Sequence, residues 1–323
     1  MNKNFYIRLY NGLILLLVLI LSISLISCIN TMKEKKGSIY AFSTYIDITL
    51  YYNDNQDIES IYKNAVNIFN EINKLTDRFN EYPNVNNIYK INNSKDFVSI
   101  DSKLIELITL AQSIKKETNG YFECLIGNLS VLYKELIKSE VIDISKIPTE
   151  EEIEIELENI KNTEIIIQDN LIKLDGKATI DLGAVAKGYA LLKVKEYLDE
   201  VDITHFIIDA GMSSILVGEK PIDDFYSVLV SNTGDVKKIK NCCFGTSSVL
   251  TQKIEYNGTI YHHIINPKTG KPENYYKTVC VIGDNPLLID ALTTAFISMK
   301  EEEIKEVINF YKEKNINLEY YLY

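Results

Sequence analysis

The chain has 323 residues, a formal charge of −11, 46% hydrophobic residues and no tryptophan. That acidity argues against a nucleic-acid partner, since phosphate backbones are bound by clustered cations. It is compatible with cation binding without specifying any site, because most surface carboxylates are simply solvated.

In chain order, Lys3 and Arg8 precede an apolar run, Leu13 to Ile26, of 14 residues. A membrane-spanning helix needs about 20, so the run reads as a secretory signal over residues 1–27. The "LISC" stretch that follows, Leu25 to Cys28, resembles the bacterial lipobox, whose cysteine is acylated. The expectation is a mature chain anchored through Cys28, a polar leash over 28–37, and a globular domain over 38–323, tethered in the cell envelope and facing the periplasm or exterior. Acyl chains contribute roughly 0.8 kcal/mol per buried CH2, and more than one makes anchoring stable.

Ser43 to Tyr52 alternates as a half-buried strand. Ile61, Ala65, Ile68, Ile72 and Leu75 recur at helical spacing from Ile58 onward, and a second such pattern runs from Asp101 to the Asn119-Gly120 stop. Thr149 and Glu152 form a capping box. Strand patterns follow at "TEIIIQ", "HFIIDA", "SILVG", "YSVLVS", "IYHHII" and "TVCVIG", interrupted by a helix near Ala184 and followed by one starting at Pro286. The mix predicts an α+β body with a largely antiparallel sheet. Cys124, Cys242, Cys243 and Cys280 lack zinc-ligand spacing and read as buried thiols, a Cys243 to Cys280 bridge being the open alternative in an oxidising compartment.

Three stretches carry chemistry. In "IDLGAVAKGYA", the glycines Gly183 and Gly188 match neither a dinucleotide fingerprint nor a phosphate-binding P-loop. Asp181, the small residues and Lys187 at a helix mouth are nonetheless parts from which a phosphate or metal-phosphate site is made; the plain reading is a tight turn with a solvated lysine. In "DALTTA", Asp290 and Thr294 share one helix face, a hard-oxygen pair suited to Mg²⁺. In "YHHIINPKTGKP", alternation sends one histidine, His262 or His263, inward to exchange a proton near neutral pH or to sit satisfied in the core. Tyr82, Tyr121 and Phe122 lie on glycine- or asparagine-rich loops, where aromatic rings sandwich planar ligands or pack the core.

In their order, "STYIDITLY", "YPNVNNIYKIN", "GYFECLIGNL", "IDLGAVAKGYA", "IIDAGMSSILVG", "GTSS", "YHHIINPKTGKP" and "DALTTA" resemble the ApbE family of FAD:protein FMN transferases over nearly all of the chain after the leash. The resemblance implies two related β-rich lobes with packed helices (ApbE/T-fold-like) and a lipoprotein enzyme that moves FMN from FAD to a Thr or Ser hydroxyl of another protein with Mg²⁺, releasing AMP. By position it implies Mg²⁺ ligands in the Ala184 carbonyl, Asp290 and Thr294. FAD contacts would come from Phe42, Tyr82, Tyr121, Phe122, Glu123, Asp181, Lys187, His263 and Ile264, and the proton acceptor would be His263, with Asp290 as the alternative. The sequence departs from the family pattern at Asn266 for Asp, Glu123 for Asp, Leu125 for Thr, Met212 for a second glycine, and "FST" for Met-Gly-Thr. The acceptor motif Asp-x-x-Ser/Thr-Gly-Ala/Ser-Thr is missing from the chain, so the implied partner is a separate protein that carries it. The same residues would serve an Mg²⁺-dependent FAD pyrophosphatase or a non-catalytic FAD-binding lipoprotein.

Overall fold

The computed structural model describes residues 32–138 and 143–323. The signal sequence and Cys28 lie outside the described residues. Strand β1 (Lys33–Ala41) begins inside the stretch read as a leash and pairs antiparallel with β2 (Thr44–Tyr52), Lys33 opposite Tyr52. The expected boundary at residue 38 therefore moves to Lys33: a mixed charged and apolar sequence becomes strand because a partner strand is available, not because its own pattern demands it.

The first helix, α1 (Ile58–Thr76), is capped by the Asp57 side chain, which accepts from the Ser60 N–H. It buries Ile61, Ala65, Phe69, Ile72 and Leu75, with Phe69 taking the core position expected for Ile68. Then come α2 (Ile88–Asn92), β3 (Val98–Ser99), α3 (Ser102–Glu117), α4 (Gly127–Lys138), a 3₁₀ turn (Ile144–Lys146), α5 (Glu150–Lys161) and strands β4 (Glu164–Gln168) and β5 (Leu171–Asp175). The Thr149/Glu152 capping box starts α5 as predicted. Strands β3, β5 and β4 form a small three-stranded sheet beside these helices.

The remainder supplies α6 (Ala186–Glu200), β6 (Phe206–Ala210), β7 (Ser214–Val217), the hairpin β8 (Tyr226–Leu229) and β9 (Val236–Ile239), β10 (Cys242–Ser248), the hairpin β11 (Lys253–Tyr256) and β12 (Thr259–His262), β13 (Thr278–Gly283), α7 (Pro286–Ile297), α8 (Glu301–Glu313) and β14 (Glu319–Leu322). The main sheet has seven strands in the order β1-β2-β6-β7-β10-β13-β14, each neighbour antiparallel. This is the α+β architecture expected. The pairing of β2 with β6 joins the N-terminal and C-terminal halves in one sheet over one main core.

One face of that sheet buries α7, which packs on β10 and β13 and against α6, while α6 packs on α1. The other face carries a smaller core of Ile215, Val217, Phe244 and Cys280 under the β8–β9 hairpin. All four described cysteines are buried and free. Register explains why no bridge forms: Cys243 lies opposite Gly283 and Cys280 opposite Thr246, too far along the ladder for a disulfide.

Candidate active site

The site is built where the turn before α6 meets the first turns of α7. Pro286 starts α7, and the Asn285 side chain caps it by accepting the Leu288 N–H. This orientation sends Asp290, 6% exposed, toward α6. The close approach is possible only with a glycine: a Cβ on Gly188 would sit 2.4 Å from the Pro286 carbonyl oxygen and 2.7 Å from Asp290 Cβ. The Gly188 N–H donates to Asp290 Oδ2 at 2.9 Å. In a regular helix that N–H would return to the Ala184 carbonyl; the neighbouring Tyr189 N–H does return to Val185 O. Among the described residues no donor reaches the Ala184 carbonyl, so the diverted hydrogen bond both frees this oxygen and ties it to the Asp290 neighbourhood.

The buried Ser214 hydroxyl donates to Asp290 Oδ1 at 3.0 Å, and Lys187 Nζ lies 3.9 Å from the same oxygen. Thr294, one turn on, makes only a 3.3 Å bond from its hydroxyl to the Asp290 main-chain carbonyl and keeps its lone pairs. Ala184 carbonyl, Asp290 carboxylate and Thr294 hydroxyl are thus a set of hard oxygens, with two fixed donors orienting the carboxylate, and they fit Mg²⁺, whose remaining positions water or a phosphate oxygen would fill.

Asp181, at the other end of the corner, is differently engaged. Its Oδ1 accepts the Gly183 N–H at 2.8 Å; its Oδ2 receives Arg78 at 2.8 Å and Ser130 at 2.7 Å, with Lys134 Nζ at 3.5 Å. Burial alone would raise its pKa, but the Lys134 and Arg78 charges and these hydrogen bonds overcome it and hold the carboxyl down at about 2. Asp181, named as a FAD contact, is held in a group of cations and hydrogen-bond donors.

The two histidines separate cleanly. His262 is fully buried; its Nε2 donates to the Glu273 carbonyl at 2.8 Å and its Nδ1 accepts the Ile264 N–H at 3.2 Å. Desolvation lowers its pKa to about 4, so it is a neutral strut. His263 lies just past β12, half-buried, with Nδ1 facing the Gln252 carbonyl at 3.4 Å. A carbonyl only accepts, so Nδ1 carries the proton and Nε2 is left as a free base. Burial lowers the His263 pKa, and the charges of Lys134 and Lys187 lower it further.

The expected aromatic contacts are placed unevenly. Tyr121 is half-buried, its hydroxyl donating to Glu303 on α8 and its face covered by Lys268 Nζ at 3.9 Å. Tyr82 is half-buried and donates to Asp77 at 2.8 Å. Phe122, by contrast, is in the main core, so its ring is packing, and Ile264 is buried there too. Glu123 is buried, accepting the Leu125 N–H and paired with Lys115. Phe42 and Ser43 form the β1–β2 turn with φ of 51° and 59°, and Phe42 N–H is held by Asn73. Met212, in place of a glycine, also takes a positive φ of 58°, held by a bond from its N–H to Asp209. Asn266 keeps the turn role of Asp, its Oδ1 accepting the Lys268 N–H at 2.9 Å. Sequence reasoning missed Arg78, Ser130, Lys134 and Ser214; of these only Ser214 sat in a stretch singled out beforehand, "AGMSS".

Against known families, residues 42–319 match the ApbE family model. The chain belongs to the ApbE family. Among curated ApbE relatives named FAD:protein FMN transferase, one from Klebsiella pneumoniae is 24% identical over 64% of this chain and 65% of its own length, and one from Chlamydia muridarum is 24% identical over 77% of this chain and 78% of its own. The chain thus spans just under two thirds of the first of these. Solved ApbE structures share the fold: the protein from Thermotoga maritima superposes with a TM-score of 0.74 at 22% identity, covering 88% of this chain and 93% of that one. The flavinyl transferase from Pseudomonas stutzeri gives 0.75 at 15% identity, covering 90% and 92%.

Proposed function

We propose that this protein is an Mg²⁺-dependent FAD:protein FMN transferase of the cell envelope, lipid-anchored through Cys28. The observation that supports the reading is the hydrogen bond from Gly188 to Asp290, which ties this carboxylate to the turn carrying the Ala184 carbonyl, one helical turn from the Thr294 hydroxyl. The names of its relatives support flavin transfer as the reaction class.

When bound, Mg²⁺ would supply charge neutralisation for the FAD diphosphate. Lys187 adds a cation at the same place. The acceptor hydroxyl oxygen attacks the FMN phosphorus, a new O–P bond forms, the diphosphate P–O bond breaks, and AMP leaves with that electron pair. His263 Nε2 takes the hydroxyl proton, and its lowered pKa keeps it unprotonated and ready to do so at neutral pH. Tyr82 and Tyr121, both half-buried, are the proposed contacts for the planar ring system.

The test is to incubate the soluble domain with FAD, Mg²⁺ and a protein domain bearing Asp-x-x-Thr-Gly-Ala-Thr, then weigh that domain by mass spectrometry. Transfer predicts a gain equal to FMN less water, and Asp290→Ala should lower it at least roughly 100-fold. Sustained release of free FMN without any acceptor would make the enzyme a pyrophosphatase instead. FAD left intact with acceptor and Mg²⁺ present would make it a flavin-capture protein.

A further inference from the structure

We propose that Lys134, on α4, is a phosphate-binding residue that works with Lys187 to hold the two phosphates of the dinucleotide. The proposal rests on the transferase reading above and names a residue that the sequence did not bring to notice.

The geometry begins with how the charges balance around Asp181. Arg78 is the partner that satisfies this carboxylate: its guanidinium reaches Asp181 at 2.8 Å, Ser130 at 2.9 Å and the Gly127 carbonyl at 3.0 Å, and its side chain is 10% exposed. One buried cation thus already neutralises one buried anion. Lys134 approaches the same oxygen only at 3.5 Å, and its side chain is 33% exposed. Its other neighbour is the face of Phe79, 5.4 Å from Nζ, a ring that is itself 59% exposed. The ammonium carries three donors, and these contacts leave protons free to turn outward. Lys134 is therefore surplus positive charge, held in place by an acid that another residue neutralises.

Fold geometry points that surplus toward the reaction centre. Helix α4 packs against the β11–β12 hairpin. The buried Tyr133 hydroxyl, beside Lys134 in sequence, donates to the Gly270 carbonyl at 2.9 Å, and Leu129, Tyr133 and Ile265 share a small core. His263 follows β12 directly, at the end of the hairpin that packs on the helix bearing Lys134. Helix α6 brings Lys187 to within 3.9 Å of Asp290. The depression of the His263 pKa by both lysines agrees with this placement. Counting Arg78, Lys134 and Lys187 against Asp181 and Asp290, the walls carry one net positive charge before any metal binds. A diphosphate carries two negative charges, so that excess offsets one of them before any divalent ion binds, whereas a riboflavin-like ligand has no use for the lysines.

The test is equilibrium binding, measured by flavin fluorescence without added Mg²⁺ so that the lysines are read apart from the metal. FAD and riboflavin are compared on the wild-type domain, Lys134→Gln, Lys134→Arg and a control, Lys95→Gln, at an exposed surface lysine. The expected result is a loss of FAD affinity of roughly 10- to 100-fold in Lys134→Gln, riboflavin affinity unchanged within about twofold, partial recovery in Lys134→Arg, no effect in the control, and a shallower salt dependence of FAD binding. A merely structural role would lower FAD and riboflavin affinity together and would overturn the assignment. So would Lys134→Gln binding both ligands as the wild type does; if that wild type still flavinylates an acceptor, the transferase reading stands and only Lys134 falls. A wild type that neither prefers FAD to riboflavin nor transfers FMN would remove both.

Discussion

His262 and His263 are adjacent, yet one is a strut and the other a base, and pH should tell them apart. The folded pKa of His262 is about 4 against an ordinary 6.5, because burial penalises the charged ring. A histidine kept neutral in the fold contributes stability that is whole above the unfolded value and is lost as pH falls from 6.5 toward 4, since the unfolded chain then binds the proton more readily. Chemical denaturation at pH 7 and pH 4.5 should show His262→Gln losing about 2 to 3 kcal/mol less than the wild type over that interval. Equal losses would mean that the ring is not held neutral. Transfer activity should behave differently: with the His263 pKa also lowered, its acid limb falls below the ordinary histidine value. At this scale the sequence showed chemistry only where partners are local. Asp290 and Thr294 are one turn apart and were legible as a pair. The Arg78–Asp181 contact spans 103 positions and the Lys134–Asp181 contact 47, and no local pattern encodes either.

At the scale of elements, the contact between α6 and α7 decides whether the proposed ligand set can form. Both helices were legible, the one from its glycine corner and the other from its proline start, but their crossing was not, because a single missing side chain sets it. Gly188→Ala would place a methyl within 2.8 Å of Leu287 Cα as well as against the Pro286 carbonyl and Asp290. These are backbone and Cβ atoms that cannot swing aside, so α6 must back away and the Gly188–Asp290 bond must lengthen. The expected cost is about 1 to 3 kcal/mol of stability, with weaker Mg²⁺ affinity by calorimetry. An alanine variant as stable as the wild type, with undiminished Mg²⁺ affinity, would show that the two helices do not need this closeness. The strands that escaped the sequence reading have physical reasons of their own. In β10, "CCFGTSS", residues Cys242 to Gly245 are buried whichever face they point to, which erases alternation. In β1, "KEKKGSIYA", exposed and half-buried positions do alternate, but Lys35 and Gly37 fill the half-buried ones, so no apolar alternation shows before Ile39 and Ala41.

For the whole molecule, the unexpected start of the sheet bears on how the proposed anchor would carry the domain. With Cys28 acylated, as proposed, only Ile29 to Met32 separate the anchor from β1, a reach of at most about 14 Å. The far end of β1 is the turn beside Gly211, where a glycine Cβ would meet Thr44 Oγ1 at 2.3 Å, and Ser214 of the site follows shortly after. Under that proposal the strand would act as a spacer, with Lys33 at the anchored end and Ala41 at the end near the turn that leads to Ser214. Residues 33–37 should accordingly be domain rather than leash. Their removal would unpair Tyr52 to Ile48, delete the Lys35–Glu59 ion pair and the Lys35 contact with Tyr62, and leave β2 as an exposed edge. A soluble form starting at Met32 should unfold cooperatively and remain monomeric by size-exclusion chromatography. One starting at Ser38 should melt lower by on the order of 5 °C and self-associate through the bared edge. Equal melting temperatures and elution volumes would return those residues to the leash and uncouple the anchor from the orientation of the site.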